Sequence, residues 1–184
     1  MKVTSRAGRR LAAGAGLACA AILLPTAAMA ASGSSAAPAR PAVAACRSAG
    51  TEVWNAQEGD GALGTIRYEI ELSNIGHHSC TLLGYPGVSE INIHGNEVGL
   101  PATHGGTKFL VTIAPGGTAH FVLAVVAAGA VCHHPVNGST LRVFPPGQTV
   151  SQLVLFPNQM CPGRSTMSVD AVHAGTGIPF FSLH

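Results

Sequence analysis

The sequence predicts an all-β domain exported from the cytoplasm and held by two disulfides. Three observations carry that expectation: strand-length runs with apolar alternation, turn residues between nearly all of them, and an even set of cysteines behind an export signal. About eight short strands spaced by turns mean a sandwich or a barrel.

The first element is the signal, residues 1–30. Lys2, Arg6, Arg9 and Arg10 form a basic start. An apolar stretch from Leu11 to Met29 follows, and Ala28-Met29-Ala30 gives the small-x-small pattern of signal peptidase, so cleavage is expected between Ala30 and Ala31. A membrane anchor would need about 20 unbroken apolar residues, and Pro25 interrupts this run. A lipoprotein signal would place Leu three residues before the modified cysteine, where Cys19 has Gly16. Arg9-Arg10 is a weak match to a twin-arginine signal, because adjacent arginines are common in such basic starts.

Cleavage removes four of the ten basic residues and leaves six Lys and Arg against eight Asp and Glu, a net charge of −2 with His neutral. The basic balance of the whole chain therefore belongs to its signal, and nucleic acid is not an expected partner. Residues 31–45, small and proline-containing without periodicity, read as a flexible linker. Residues 46–184 have the size of one domain and contain no stretch long and apolar enough to cross a membrane as a helix.

The clearest strand is Thr65 to Leu72, where Ile66, Tyr68, Ile70 and Leu72 alternate with Thr65, Arg67, Glu69 and Glu71. One face should be core and the other wet. Further strands are expected at Glu52 to Gln57, Val88 to Ile93, Lys108 to Ile113, Ala119 to Val126, Thr140 to Phe144, Val150 to Phe156 and Thr166 to Val172. Asp60-Gly61, Pro86-Gly87, His94-Gly95-Asn96, Pro115-Gly116-Gly117, Pro146-Gly147 and Pro162-Gly163 supply the reversals. The alanine-rich run from His120 to Val131 is the one place where a helix competes, and its β-branched content favours a buried strand.

Cys46, Cys80, Cys132 and Cys161 remain after cleavage, and four cysteines allow three connectivities. Cys46 precedes the first strand and Cys80 follows the second, so an antiparallel pair brings them to one end of a sheet. Treating the later two likewise favours Cys46 with Cys80 and Cys132 with Cys161. Each bridge would close a loop of about thirty residues, worth roughly 3 to 4 kcal/mol.

Asn74-Ile75-Gly76, Cys80-Thr81-Leu82-Leu83-Gly84-Tyr85-Pro86-Gly87-Val88, Ile113-Ala114-Pro115-Gly116-Gly117-Thr118-Ala119, Cys132 and Val143-Phe144-Pro145-Pro146-Gly147 together resemble the family called domain of unknown function 4232. The resemblance covers essentially residues 46–184. It implies a secreted or lipoprotein-type protein of high-GC Gram-positive bacteria with an immunoglobulin-like β-sandwich and no assigned activity. His77-His78, in a turn where polar residues are usual, and the bland Ala124 to Ala130 stretch depart from the family pattern. The motif also has a purely structural reading, in which Cys80 staples a strand end, Tyr85 packs at a corner and Pro86-Gly87 reverses the chain.

Several chemistries can be weighed against these residues. His77, His78, His133 and His134 lie beside cysteines and could bind zinc or copper, but a disulfide sulfur is not a thiolate and the ligand spacing is missing. His94, His104, His120, His173 and His184 read as turn, edge or terminal residues. There is no G-x-S-x-G elbow for a hydrolase. Paired carboxylates for glycoside cleavage would come from Glu69, Glu71, Glu90 and Glu97, yet Glu69 and Glu71 read as a solubilising face. Gly105-Gly106-Thr107-Lys108 lacks the order of a phosphate loop, and Asn137-Gly138-Ser139 matters as a glycosylation acceptor only in a host that has the machinery.

The expected function is thus a noncatalytic binding or structural module at the cell envelope or outside the cell, with no catalytic residue, no cofactor and an unidentified partner. A histidine-based metal protein is the first alternative and an unrecognised hydrolase the second.

Overall fold

A computed structural model describes residues 42–56 and 59–177. The signal, its Ala30/Ala31 cleavage site, most of the linker, Gln57 and the C-terminal residues from 178 to His184 lie outside the described residues. The chain divides into two units between Ala39 and Arg40, and the described residues all belong to the second.

In chain order the strands are β1 (Thr51–Asn55), β2 (Asp60–Ala62), β3 (Thr65–Asn74), β4 (Cys80–Leu83), β5 (Gly87–Ile91), β6 (Glu97–Val98), β7 (Thr103–His104) and β8 (Leu110–Ile113). They continue with β9 (Thr118–Val126), β10 (Val136–Asn137), β11 (Thr140–Phe144), β12 (Gln152–Leu155), β13 (Gln159–Met160), β14 (Met167–Val169) and β15 (His173–Ala174). Only two single-turn 3-10 segments, Ser48–Gly50 and Ala128–Ala130, interrupt them, and among the described residues there is no α-helix and no helix able to cross a membrane.

The larger sheet runs β1-β3-β9-β14-β7, with β2 added to β3 and β15 to β9. A four-stranded sheet runs β12-β11-β5-β6, and β4-β8 and β10-β13 form two small ladders. Inner-face residues of both larger sheets meet in one core: Ile70, Leu72, Phe121 and Leu123 from the first, Val88, Leu141, Val143 and Val154 from the second. Leu82 and Ile113 of β4-β8 and Met160 of β13 join it. Burying each of these large side chains contributes about 1.5–3 kcal/mol. Tyr68 and Phe156 pack edge to face across the sheets with ring centroids 4.7 Å apart.

At β1 the two sheets are joined by side chains in place of a backbone ladder. Gln152 accepts from the Val53 N–H at 3.0 Å and donates to the Ser48 carbonyl at 3.1 Å and to that of Thr51, while Gln148 donates to the Cys46 carbonyl and accepts from the Ser48 N–H. These amides occupy groups that an open edge strand would leave for another chain.

The disulfides join Cys46 to Cys80 and Cys132 to Cys161, with Cα separations of 4.7 and 5.9 Å. The first pair meets where residues 44–46 run parallel to β4, with Ala45 bridged to Thr81, the Cys46 N–H donating to the Thr81 carbonyl and the Thr81 N–H to that of Ala44. The β10-β13 ladder, with Val136 opposite Met160, brings the second pair together.

All eight expected strands are present, most of them shorter by a residue or more at an end. The alanine-rich run is strand β9 through Val126, with strict alternation in burial. Three expectations are corrected. Asp60-Gly61 lies inside β2, and the hairpin turns at Leu63-Gly64, where φ is +56° and +81°. A two-residue hairpin loop needs this left-handed backbone at both centres, which Gly64 adopts freely and Leu63 does at a cost. β4 was not expected as a strand, because four residues beginning at a cysteine carry too little periodicity; it pairs with β8, Cys80 opposite Ile113. The wet face of β3 holds only in part: Arg67 is exposed, but Glu71 is 0% exposed, because β15 and the segment behind it cover that end of the sheet.

Candidate functional site

The outer face of the larger sheet is built in rows, because antiparallel and parallel registers set residues side by side across strands. One row runs Arg67 (β3), Ala124 (β9), Ser168 (β14), Thr103 (β7), each opposite the next. In the neighbouring row Glu69 lies opposite Val122. There the Val122 N–H donates to Asp170 Oδ1 at 2.7 Å, and Asp170 N–H returns a bond to the Val122 carbonyl. The third row carries Glu71 opposite His120, and His120 opposite His173.

Small side chains on the central strand between longer ones on both sides make a groove. Its volume is about 500 Å3, with Val122 and Ala124 as floor and Arg67, His104, Ser168 and Asp170 on its banks. Ala124, bland in the sequence, is what makes the hollow. Among the described residues the side chains of Arg67 and Ser168 have no hydrogen-bond or ion-pair partner, so both are available to a ligand. The far bank is braced: the Tyr85 hydroxyl donates to the Gly106 carbonyl, its ring stacks on His104 at 5.0 Å, and Lys108 Nζ lies 5.1 Å from that ring. Tyr85 thus holds the loop that walls the groove.

Beyond the groove the third row closes over. Thr176 Oγ1 and the Gly177 N–H both donate to Glu71 Oε1 at 2.8 Å, and His120 Nδ1 lies 2.9 Å from the Gly175 carbonyl. His120 and His173 stack with centroids 5.6 Å apart, and His173 Nε2 is 3.3 Å from Asp170 Oδ2. Burial pushes the Glu69 carboxyl above its usual range; His120 opposes this, Asp170 and Glu71 reinforce it, and His173 opposes it again.

This cluster corrects two expectations. Glu69 and Glu71 do not form a solubilising face, and His120, expected at a turn, edge or terminus, lies inside β9 and pairs across strands with His173. Period-2 patterning shows which residues share a face but cannot show that later strands cover it. Asp170 and His173, with Oδ2 and Nε2 3.3 Å apart, resemble two members of a hydrolytic triad.

The other candidates lie apart. His77 and His78 are exposed at the Asn74 end of β3, where Asn74 Nδ2 donates to the His78 carbonyl. His133 and His134 are exposed after the 3-10 turn that follows β9, whose Val126 lies opposite Thr65. Eight residue steps of the β3-β9 ladder, roughly 27 Å, separate the two ends. Among the described residues no group of three or more His, Cys, Asp or Glu side chains is arranged to hold a metal ion. Glu97 makes a half-exposed ion pair with Arg142 at 3.8 Å.

Glu90 was the least predictable. It points from β5 into the interior beside Leu141, behind Gly138, and is 0% exposed. Neither carboxyl oxygen reaches a hydrogen-bond partner of normal geometry. Burial pushes this carboxyl up to about 8, only partly opposed by the Thr140 backbone. The buried Asn74 behaves oppositely. Its Nδ2 donates to the carbonyls of His78 and Ile113 and its Oδ1 accepts from Gly76 N–H, so the Asn74-Ile75-Gly76 motif pins the end of β3 to β8.

The family model described as a domain of unknown function, DUF4232, matches residues 46–175, and the chain belongs to that family. No curated protein and no solved structure matches the chain.

Proposed function

We propose that this DUF4232 chain is a noncatalytic binding module of the cell envelope or the extracellular space, an immunoglobulin-like β-sandwich that engages its partner through the outer-face groove. The groove carries the reading: a hollow across four strands, with unpaired Arg67 and Ser168 on its banks and one bank braced by Tyr85. Pockets with a small apolar floor and a few placed polar groups are where proteins take ligands. Two disulfides support a location outside the reducing cytoplasm. Two larger sheets over one core support the sandwich.

Filling the groove tests this reading. Labelled mature protein should be retained by envelope preparations of its source organism, and Ala124→Leu, which fills the floor while leaving the bank residues intact, should reduce retention at least tenfold. Equal retention of a correctly folded Ala124→Leu protein would overturn it.

A further inference from the structure

We infer that the outer-face groove is a saccharide subsite that takes one or two pyranose units of a glycan. The inference rests on the groove being the binding surface. It follows from the mixture of groups the groove presents. Arg67 can only donate hydrogen bonds and Ser168 and His104 can both donate and accept, while the Thr103 hydroxyl, which donates to the Met167 carbonyl, and the Asp170 carboxyl, which takes the Val122 N–H on Oδ1, keep acceptor sites for a ligand. A ligand whose polar groups each donate and accept satisfies all of these, and sugar hydroxyls have that property.

Other ligand classes fit less well. An anionic ligand would meet Asp170, with Glu69 in the same row, opposed by Arg67 alone among the groove's fixed charges. A cationic ligand would face Arg67. A purely apolar ligand would cover the polar bank groups without pairing them, at a cost of about 1–3 kcal/mol for each. The floor also fits a sugar, since the Val122 and Ala124 methyl groups offer an apolar surface for the C–H face of a pyranose ring. His104, held by its stack on Tyr85, adds a planar ring at the rim whose position is already fixed, which lowers the entropy lost on binding. A hollow of about 500 Å3 lies within the usual size of small-ligand sites.

Calorimetric titration of the oxidised mature chain with cellohexaose, chitohexaose, maltohexaose and lysozyme-released peptidoglycan glycan, with glycylglycine as a zwitterionic control, tests the assignment. Saturable binding of at least one saccharide is expected, weakened at least tenfold by Ala124→Leu and about tenfold by Arg67→Ala, with near-ultraviolet circular dichroism confirming that each variant is folded. No saccharide binding at about 10 mM, a concentration far above the dissociation constant of a functional subsite, would overturn it. Saccharide binding unchanged in Ala124→Leu would also overturn it. If glycylglycine alone binds and Ala124→Leu abolishes it, the saccharide assignment fails while the groove stands; if Ala124→Leu leaves envelope retention unchanged, both fail.

Discussion

Two glutamates, Glu71 and Glu90, are equally buried yet live in opposite surroundings. Glu71 sits on the outer face of the larger sheet beneath the Gly175–Gly177 segment, where Oε1 accepts two hydrogen bonds and only Oε2 is buried without one. Glu90 sits on the inner face of the smaller sheet, among Leu141 and Val98, with no oxygen properly bonded. The donors within reach, more than burial itself, decide what a hidden carboxyl does. Beneath the tail segment a carboxylate serves as an anchor. In the core it is a group that holds its proton at neutral pH.

The largest expected effect tests Glu90. Burial pushes its folded carboxyl up to about 8, against about 4.5 for a glutamate in water, so between these the native state binds one more proton than the unfolded chain. Stability should therefore be greatest below about pH 4.5 as far as this group is concerned, fall by about 1.4 kcal/mol per pH unit through the window, and level off above 8. Urea unfolding of the oxidised protein should show a loss on the order of 3 kcal/mol between pH 5 and 8. Glu90→Gln should remove that slope; an identical slope in the variant would place its origin elsewhere.

Next comes the glycine behind Glu90. A Cβ on Gly138 would sit 2.2 Å from Glu90 Cγ and 2.5 Å from its Cδ, atoms enclosed by the core. Gly138→Ala should lose about 2 kcal/mol, as overpacking does. The corresponding glycine over the other cluster is Gly177, whose added Cβ meets Glu69 Oε2 at 2.4 Å, the free end of a flexible side chain. Gly177→Ala should lose about 1 kcal/mol, less than Gly138→Ala, because the Glu69 end can swing aside although the His120 ring, its Cδ2 2.9 Å from the added Cβ, must also shift. Equal losses would show that the two acids are held with equal rigidity.

The smallest effect sharpens Glu71. Glu71→Gln keeps an acceptor but removes the charge that strengthens the Thr176 and Gly177 bonds, and should cost about 1 kcal/mol. Hydrogen exchange of the Gly177 amide should accelerate with it. Protection unchanged from wild type would mean that the segment is held by the β15 pairing alone.

Much of the strand layout was legible because its causes are local. Ile66 to Leu72 alternates, Pro115-Gly116 and Pro146-Gly147 place a glycine at positive φ, and the order of strands and cysteines favours one disulfide pairing among three. The groove was not legible. Ala124 in a strand looks bland until its register sets it between Arg67 and Ser168, which are 57 and 44 residues away along the chain. His120 and His173 reach each other by the same kind of long-range pairing.

By itself, then, the sequence determined the all-β character, the strand positions, the family and, through the cysteines, the favoured bridges, because patterning, turn chemistry and Cys count act over a few residues or through chain order. Only the tertiary structure decided which carboxylates are hidden, which are satisfied, and where the outer face hollows into a groove. Those properties depend on strands that meet across long loops, and on which later segment covers an earlier face, so alternation identifies the face but not its cover.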